Sequence, residues 1–468
     1  MPCVPREIFK AYDIRGIVGK TLTPAIVGHI GQGLGTLALE ASCRAIAIGC
    51  DGRLSGPDLK QALAGGIMSA GADVIDIGNV TTPLTYFAAE HLGTRCSVMV
   101  TGSHNPPDYN GLKMVIGGQT LSGEAIGNLR ERIESGAMRG QAGGASGSAR
   151  GSASRADVAA SYMSRITGDV RLARPMKIAV DAGNGIAGAY APELFRRLGC
   201  EVVEIFCDVD GTFPNHHPDP SQPDNLRDLI QRLEQGDCEL GLAFDGDGDR
   251  LGVVTREGVN IFPDRQMMLY AADVLSRRPG ATIIYDVKST RNLRPWIEAH
   301  GGVAQMWKTG HSLIKAKLKE SGAPLAGEMS GHTFFAERWY GFDDALYCGA
   351  RLLEILSRHP DASPVLDALP DSLNTPELHI ACAEGEPHRV IEKMGNEAQF
   401  PGATEIIRID GLRIEYPDGF GLARASNTTP VIVLRFEADN EAALARIQRD
   451  ILSAVRAIKP DAAISGAH

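Results

Sequence analysis

Short apolar runs alternate along this chain with longer stretches that have helical spacing. In three places the order is the same: an apolar strand, a loop opening on Asp, a helix ending in Gly, and a second apolar strand. The three segments begin at Ile46 (IAIGCDGRLSGPDLKQALAGGIMSAGADVIDIG), Lys177 (KIAVDAGNGIAGAYAPELFRRLGCEVVEIF) and Thr282 (TIIYDVKSTRNLRPWIEAHGGVAQMW). Strand–helix–strand units of this kind form parallel or mixed sheets covered by helices. We therefore predict three repeated α/β domains with mixed sheets.

Each repeated unit is followed by one more predicted strand, which ends in a loop rich in glycine and polar residues. The three strand–loop segments read VMVTGSHNPPDYNG, LGLAFDGDGDR and APLAGEMSGH. Proteins of the α/β class place ligands at loops beyond strand ends, so we expect the three loops to face one central cleft. Taken singly, each loop could equally be an ordinary connection between elements. Because the three loops recur at equivalent positions, however, a shared cleft is favoured.

The last hundred residues follow a different pattern. From about Pro370, shorter strands (ELHIAC, EIIRID, LRIEYP, VIVLRF) surround two helical stretches, the second running from Glu441 to Ile458. This predicts a C-terminal α+β domain. A Gly/Ser/Ala-rich stretch at 140–157 predicts a linker. The predicted domains are residues 1–150, 151–255, 256–368 and 369–468.

Composition and charge narrow the class of protein. A chain of 468 residues is too long for one core, and its net charge of -10 gives no overall attraction for nucleic acid or an anionic membrane. Nine scattered cysteines without a CxxC pair fit a reduced cytosol. The N-terminal segment lacks the pattern of a secretory signal. The uncharged stretch 21–39 is rich in glycine and predicts a buried helix, capped by Thr23 with Pro24 first, instead of a membrane span. We expect a cytoplasmic enzyme, and a monomer.

The first loop, residues 101–107 (TGSHNPP), is named here the serine loop. It places Ser103 and His104 between a buried strand and a turn rich in Asn, Pro and Gly. A serine there is expected to be exposed and rigidly held. Its hydroxyl is a weak nucleophile, and the adjacent imidazole or the downstream Lys113 can assist proton movement or hold a phosphate. The same pattern is also compatible with a turn in which the serine is incidental.

The second loop, residues 245–250 (DGDGDR), is named the aspartate loop. Its three carboxylates, Asp245, Asp247 and Asp249, stand at alternate positions with glycines between them. Oxygen ligands so arranged suit a hard divalent cation. Two carboxylates about 4 Å apart repel by about 4 kcal/mol at an effective dielectric of 20, and a cation removes that repulsion. An EF-hand does not fit, because the chain returns to a strand before the twelfth position. A solvated acidic turn is the alternative.

Two further loops carry weaker signals. The glutamate loop, residues 327–332 (GEMSGH), offers a carboxylate, a hydroxyl and an imidazole, which together can grip vicinal sugar hydroxyls. The arginine loop, residues 424–430 (RASNTTP), places one guanidinium and four polar donors in a predicted turn ahead of the strand VIVLRF. Such a turn can bind phosphate, although an ordinary N-T-T-P turn has the same residues.

Together, and in this order with one in each predicted domain, TGSHNPPDYNG, DGDGDR, GEMSGH and RASNTTP resemble the motifs of the α-D-phosphohexomutase superfamily. The resemblance covers essentially the whole chain and is closest to the bacterial phosphomannomutase/phosphoglucomutase branch. It implies reversible transfer of a phosphoryl group between the 1- and 6-positions of glucose and mannose phosphates. The implied carriers are a phosphoserine and a hexose 1,6-bisphosphate, with Mg²⁺ as cofactor. A phosphoglucosamine mutase of the same fold is the alternative, although that branch more often has an AxSHNP form of the first loop.

The resemblance also assigns roles to residues. It implies that Ser103 carries the phosphoryl group and that Ser103, Asp245, Asp247 and Asp249 hold Mg²⁺. The implied substrate contacts are Tyr12, Lys288, Thr309, His311, Glu328, Ser330, Arg424, Ser426, Asn427 and Thr428. The candidates for proton transfer and transition-state stabilisation are Arg15, His104, Lys113, Arg250 and His332.

Two readings from other functional classes stay open. A strand followed by DGDGD also fits a haloacid-dehalogenase-type phosphatase with Asp245 as the nucleophile, but that motif usually lies near the start of its catalytic domain and leaves the serine loop unexplained. A noncatalytic sugar-phosphate sensor has no need for an intact serine, metal and sugar set. Small sugar phosphates are the expected partners in each case.

Overall fold

The computed structural model describes residues 4–140 and 150–465. The first repeated unit forms a mixed sheet. Its elements are β1 (Ile14–Ile17), α1 (Pro24–Glu40), β2 (Ala45–Cys50), α2 (Gly56–Ser69), β3 (Asp73–Asn79), α3 (Thr82–His91), β4 (Ser97–Val100), β5 (Tyr109–Ile116), β6 (Gln119–Thr120), α4 (Glu124–Ser135) and β7 (Ala153–Arg155). The strand order is β1-β5-β4-β2-β3-β7, with β6 paired to β5. Strand β2 runs parallel to β3 and β4, whereas β5 is antiparallel to β1 and β4.

The second and third units repeat the parallel strand–helix–strand core with shorter sheets. The second contains α5 (Ala159–Asp169), β8 (Lys177–Asp181), α6 (Ala191–Arg197), β9 (Glu201–Ile205), α7 (Arg227–Glu234), β10 (Leu240–Phe244), β11 (Leu251–Thr255) and β12 (Asn260–Ile261). The third contains α8 (Pro263–Arg277), β13 (Thr282–Asp286), α9 (Leu293–Ala299), β14 (Val303–Trp307), α10 (His311–Ser321), β15 (Leu325–Gly327), β16 (Thr333–Phe335) and α11 (Ala345–Leu356). The strand orders are β12-β11-β10-β8-β9 and β14-β13-β15-β16. In both sheets a final antiparallel strand joins a parallel core.

The last part of the chain forms a separate sheet covered by two helices. Helix α12 (Ser363–Asp367) precedes it, and Leu366 of α12 packs in the core of the preceding domains. The last part contains β17 (Leu373–Asn374), β18 (Leu378–Ala381), α13 (Glu386–Glu397), β19 (Glu405–Ile407), β20 (Leu412–Tyr416), β21 (Gly419–Ala425), β22 (Val431–Ala438), α14 (Glu441–Ile458) and β23 (Ile464–Ser465). The strand order is β19-β20-β21-β22-β18-β23, with β17 paired to β22. The predicted fold class is confirmed: three α/β units with mixed sheets are followed by an α+β domain. Single turns of 3-10 helix occupy Arg6–Ile8, Ile186–Ala189 and Pro223–Leu226.

Strand β21 was missed by the sequence pattern. Its sequence, GFGLARA, contains two glycines because α14 packs closely on this strand. A Cβ on Gly421 would lie 2.8 Å from the Ile451 side chain, and one on Gly419 would overlap the carbonyl oxygen of Glu437. Arg424 therefore lies near the end of a strand, and only the residues after Ala425 form the loop that was predicted to hold it.

Part of the predicted linker at 140–157 forms a strand. Residues 141–149 of the predicted linker lie outside the described residues. Of the rest, Ala153–Arg155 form β7, which pairs in parallel with β3. Its three side chains are exposed, so β7 left no hydrophobic pattern to detect. The first sheet thus extends past residue 150. The second sheet extends past residue 255, because it includes β12. The domain boundaries themselves stay a prediction.

Helix α1 begins as expected. The hydroxyl of Thr23 accepts a hydrogen bond from the backbone N–H of Ile26 at 3.3 Å, and Pro24 is the first helical residue. The helix packs in the core of the first domain, where Val27, Ile30 and Leu34 are fully buried. Within residues 4–140 and 150–465, no helix combines the length and the hydropathy that a membrane span requires.

Candidate active site

The four loops meet in one cleft, with a volume of about 380 Å³, that is lined by all four domains. Every predicted catalytic and substrate-binding residue lines it: Tyr12, Arg15, Ser103, His104, Lys113, Arg250, Lys288, Thr309, His311, Glu328, Ser330, His332, Arg424, Ser426, Asn427 and Thr428. The three carboxylates of the aspartate loop lie beside Ser103 and are fully buried. Five of the lining residues are Arg or Lys, which can bind phosphate groups, and four are Asp or Glu.

A buried arginine determines the shape of the serine loop. The Arg53 guanidinium donates to the carbonyl oxygens of Ser103 (2.8 Å), Asn105 (2.5 Å), Pro106 (2.5 Å) and Tyr109 (3.0 Å). These contacts hold Ser103 at a φ of 49°, a left-handed conformation that is strained for a residue with a side chain. The expectation that Ser103 is exposed is wrong, since it is 1% exposed. The aspartate loop covers it, and the serine forms part of the floor of the cleft.

The side chain of Ser103 faces the predicted metal ligands. Its Oγ donates to Oδ2 of Asp245 at 3.2 Å and lies 3.3 Å from Nδ1 of His104. Burial, followed by the charges of Arg250 and Arg15, holds the pKa of His104 well below its ordinary value. The imidazole beside the hydroxyl is therefore neutral.

The aspartate loop brings three carboxylates into one buried cluster. One oxygen from each of Asp245, Asp247 and Asp249 lies within 4.8 Å of the others. Burial and the two neighbouring carboxylates raise the pKa of Asp245 well above its ordinary value. Burial also opposes ionisation of Asp247, but the charge and hydrogen bond of Lys113 lower its pKa overall. The Lys113 ammonium lies 2.7 Å from Oδ2 of Asp247 and also contacts Asp249. One cation thus faces three acids.

The donor set fits a divalent metal ion. Oδ1 of Asp245 accepts from the backbone N–H groups of Asp249 (3.0 Å) and Arg250 (3.1 Å), which leaves Oδ2 facing the cluster and Ser103. Oδ1 of Asp247 and Oδ1 of Asp249 are buried without a hydrogen-bond partner among the described residues. Unpartnered buried carboxylate oxygens are costly, and hard oxygen ligands are those that Mg²⁺ binds. These three residues, with an oxygen on Ser103, can hold Mg²⁺.

The glutamate loop forms another side of the cleft. Glu328 is buried and accepts from the backbone N–H of Gly310, and burial raises the pKa of its carboxyl. Tyr12, from the first domain, donates through its hydroxyl to the carbonyl oxygen of Thr309 at 2.8 Å. Gly310 has a φ of 134°, and a Cβ there would overlap the Tyr12 ring. This side of the cleft is therefore assembled from two domains.

The arginine loop closes the cleft from the fourth domain. Nε of Arg424 donates to Oδ2 of Asp410 at 3.0 Å, and the Asn427 amide contacts the Tyr12 hydroxyl. Oγ of Ser426 lies 3.4 Å from the hydroxyl of Thr428, so the loop presents a cluster of hydroxyl groups beside the guanidinium. Lys288, from the third domain, also lines this end and pairs with Glu377. Although burial raises the pKa of Glu377, the Lys288 charge lowers it to about 2.

Comparison with known proteins covers all four parts of the chain. The family model described as Phosphoglucomutase/phosphomannomutase, alpha/beta/alpha domain I, matches residues 6–139. The models of domain II, domain III and the C-terminal domain of the same family match residues 160–258, 262–373 and 377–454. The chain belongs to the phosphoglucomutase/phosphomannomutase family. The predicted membership of the α-D-phosphohexomutase superfamily is thereby confirmed.

Relatives in this family match along almost their full length. The chain is 58% identical over 449 residues to a phosphoglucomutase of Neisseria gonorrhoeae, covering 96% of each chain. It is 52% identical over 458 residues to a phosphomannomutase/phosphoglucomutase of Pseudomonas aeruginosa, covering 98% of this chain and 97% of that one. A crystal structure of a phosphoglucomutase/phosphomannomutase family protein from Burkholderia thailandensis superposes with a TM-score of 0.93 at 55% identity, over 99% of this chain and 100% of that chain.

Several residues that shape the site in this family member were not predicted. Each repeated unit opens its loop on an aspartate, and in the first and third units this aspartate holds the motif loop. Asp51 accepts from the Thr101 hydroxyl at 2.7 Å, and Asp286 accepts from the Met329 N–H at 3.1 Å. The repeat itself was the signal that could have identified them. Arg53, Asp343 and Asp410 belong to none of the four motifs, and only the tertiary fold brings them to the site.

Proposed function

We propose that the chain is a phosphohexomutase that interconverts the 1- and 6-phosphates of glucose and mannose. Ser103, once phosphorylated, donates its phosphoryl group to the free hydroxyl of a hexose monophosphate. The resulting hexose 1,6-bisphosphate turns within the cleft and returns its other phosphoryl group to Ser103. Names of relatives support both sugars, since one is a phosphoglucomutase and the other a phosphomannomutase/phosphoglucomutase.

The observation that carries the proposal is the position of Ser103. Its Oγ lies 3.2 Å from Oδ2 of Asp245 and faces a cleft whose far end is formed by the arginine loop. A phosphoserine brings about -1.5 to -2 charges at neutral pH, and beside three carboxylates that charge requires compensation. Mg²⁺, when bound by the aspartate loop, supplies charge neutralisation for the phosphoryl oxygens.

The residues of the chain account for the remaining chemistry. In the first transfer the bond from Oγ of Ser103 to phosphorus breaks, and a bond from the sugar oxygen to phosphorus forms. The sugar hydroxyl loses its proton, and Oγ of Ser103 takes up a proton as the bond to phosphorus breaks; His104, beside Oγ, can pass the proton. Lys113, Arg15, Arg250 and His332 surround the same point and stabilise the transferring charge or move the proton.

The opposite half of the cleft binds the part of the substrate that does not react. Glu328 and Ser330, with Thr309 and His311, are placed to bind sugar hydroxyls. Tyr12, Lys288 and the arginine loop bind the second phosphate. Glucose and mannose differ only at C2, so a grip on the 3- and 4-hydroxyls accepts both sugars. The same contacts must serve both orientations of the bisphosphate.

A coupled mutase assay tests the proposal. Wild type and Ser103→Ala are assayed with glucose 1-phosphate, mannose 1-phosphate and glucosamine 1-phosphate, each with a trace of the matching hexose 1,6-bisphosphate, and with or without EDTA. We expect turnover of the glucose and mannose phosphates, its loss with EDTA, and at least a 10³-fold lower kcat in Ser103→Ala. Turnover of glucosamine 1-phosphate alone would indicate a phosphoglucosamine mutase.

Mapping the phosphorylated residue separates the other classes. An acid-stable phosphoserine at position 103 supports the mutase. A hydroxylamine-labile acyl phosphate on Asp245 would instead identify a phosphatase of the haloacid-dehalogenase type. Binding of sugar phosphates without turnover by any phosphorylated form would leave only a sensor.

We also propose that the enzyme acts in the cytoplasm as a monomer on small sugar phosphates. Free thiols support a reducing compartment: every cysteine between residues 4 and 140 and between 150 and 465 is unpaired with another cysteine. All four domains of one chain line the cleft, which supports a monomer. Size-exclusion chromatography with light scattering tests the monomer.

A further inference from the structure

Asp343, which belongs to none of the four motifs, lies behind one of the cleft histidines. It lies two residues before the start of α11, and its carboxylate is fully buried. Oδ2 of Asp343 is 3.1 Å from Nδ1 of His332, and Oδ1 accepts from the ammonium of Lys315 at 2.9 Å. Burial opposes its ionisation, but Lys315 and His332 hold the pKa of Asp343 well below its ordinary value. The carboxylate is therefore charged, with one oxygen hydrogen-bonded to Lys315 and the other facing Nδ1 of His332.

The other ring nitrogen of His332 faces the reaction site. Nε2 accepts a hydrogen bond from Nε of Arg250 at 3.0 Å, and Nε of Arg250 lies 4.0 Å from Oδ2 of Asp245. A neutral imidazole has one donor and one acceptor nitrogen, so acceptance at Nε2 requires the proton to be on Nδ1. Nδ1 of His332 and Oδ2 of Asp343 are both buried, and neither has a partner with full hydrogen-bond geometry among the described residues; at 3.1 Å they form a close polar contact with each other.

We infer that Asp343 is a positioning residue that fixes His332 in its Nδ1–H form, so that Nε2 holds the Arg250 guanidinium over the phosphoryl group in transfer. Lys315 keeps the Asp343 carboxylate in place from the opposite side. The inference rests on the proposed mutase function for the role of Arg250, whereas the protonation of His332 can be tested by itself.

A different reading of the same residues is a second metal site. Asp249, His332 and Asp343 each offer a ligand atom within 4.8 Å of the others. A protonated Nδ1 cannot bind a cation, however, and Lys315 already neutralises Asp343. Asp249 lies 3.6 Å from Nδ1 and is the competing acceptor. Asp343 thus also keeps His332 away from a proposed Mg²⁺ ligand.

The variant Asp343→Asn changes the chemistry without changing the shape. Lys315 requires an acceptor, so the amide oxygen turns towards its ammonium and the amide NH₂ turns towards Nδ1 of His332. That nitrogen must then be the acceptor, which moves the proton to Nε2, where it opposes the Arg250 N–H. Residues that orient a catalytic group through its other side typically change rates by about 10- to 100-fold. We expect kcat to fall at least tenfold, with KM for glucose 1-phosphate changed less than about twofold.

Two controls separate positioning from a loss of structure. Asp344→Asn removes the neighbouring buried carboxylate, which contacts Tyr162 and Tyr347 and not His332, and it should leave kcat unchanged. In a His332→Gln background, Asp343→Asn should cause no further loss of kcat, since its effect passes through the imidazole. If the double variant loses kcat by the product of the two single losses, or if Asp343→Asn leaves kcat unchanged, the inference is overturned.

Nitrogen-15 NMR of histidine-labelled protein reads the tautomer directly. The His332 signals are assigned by their loss in His332→Gln. We expect a protonated Nδ1 in wild type and a protonated Nε2 in Asp343→Asn. A protonated Nε2 in wild type would contradict the inference whatever the activity. If wild type has the expected tautomer but no mutase activity, the proposed function fails and the role of Asp343 in fixing the imidazole stands.

Discussion

At the scale of single residues, Arg53 shows how much of the site depends on a group that never touches the substrate cleft. Its side chain is 1% exposed and binds four carbonyl oxygens of one loop. The planar guanidinium offers five N–H donors, whereas lysine offers three from one atom and cannot span these acceptors.

We predict that Arg53→Lys lowers kcat at least tenfold and lowers the free energy of unfolding by about 2–4 kcal/mol, because buried carbonyl groups lose their donors. Thermal unfolding and the mutase assay measure the two effects. The matched control is Arg132→Lys, which alters an exposed pair with Glu40 and should cost less than about 1 kcal/mol with normal kcat. Equal behaviour of the two variants would show that Arg53 does not hold the serine loop.

Asp344 gives a prediction about pH. Burial raises the pKa of its carboxyl to about 7, against the opposing hydrogen bonds from Tyr347 N–H and the Tyr162 hydroxyl. Because the folded state holds this proton more tightly than the unfolded state, the group costs stability as pH rises from the unfolded pKa of about 4 through 7. Asp344→Asn keeps the helix cap and removes the titration. We therefore expect the melting temperature of the variant, relative to wild type, to rise between pH 5 and pH 8. A difference independent of pH would contradict this.

Residues of this kind mark the limit of what the sequence could predict. Ser103, the three aspartates, Glu328 and Arg424 were found because their chemistry is concentrated in contiguous motifs that follow strands. Arg53 and Asp343 act through contacts between distant segments, and nothing in their local sequence distinguishes them from surface charges. The exposure of Ser103 was predicted wrongly for the same reason, since the covering loop comes from another domain.

At the scale of elements, the strand–helix–strand units and α14 followed directly from hydrophobic periodicity. Strand β21 did not, because glycines replace side chains where α14 packs against it. Close packing of helix α1 on α2 uses the same device in the first domain. A Cβ on Gly66 would overlap the carbonyl oxygen of Gly28, whereas one on the adjacent Gly65 would meet nothing within 4 Å.

These adjacent glycines of α2 make a matched pair of variants. Gly65→Ala should raise the free energy of unfolding of the first domain by about 0.5–1 kcal/mol, since alanine favours the helix and has room. Gly66→Ala should lower it by about 1–3 kcal/mol, since α1 must move away. Urea unfolding followed by circular dichroism measures both. Stabilisation by both substitutions would mean that α1 and α2 are not in close contact.

At the scale of the whole molecule, the fourth domain is the one that we expect to move. It has its own buried core, and the apolar cluster that it shares with the third domain is small, formed mainly by Val287, Phe420 and Leu422. Much of the remaining contact is polar, such as that from Arg413 to the carbonyl oxygen of Ser289 at 2.6 Å. By contrast, one continuous core joins part of the first domain to the second and third domains. Polar contacts exchange with water at low cost, so opening about the third-to-fourth junction is the motion we expect.

Tyr12 connects this motion to the cleft, because its hydroxyl contacts both Asn427 of the fourth domain and the carbonyl oxygen of Thr309. Opening of the fourth domain breaks the contact between Asn427 and Tyr12 and makes room for the bisphosphate to turn. We predict that glucose 1,6-bisphosphate lowers the radius of gyration of wild type in X-ray scattering, and that Tyr12→Phe lowers it less. Loss of one hydrogen bond of about 1 kcal/mol should raise KM about fivefold.

Tyr190→Phe is the control, since the Tyr190 hydroxyl joins the first and second domains through the Asn79 carbonyl oxygen, away from the cleft. A radius of gyration unchanged by the bisphosphate in wild type would show that the cleft does not close by rotation of the fourth domain.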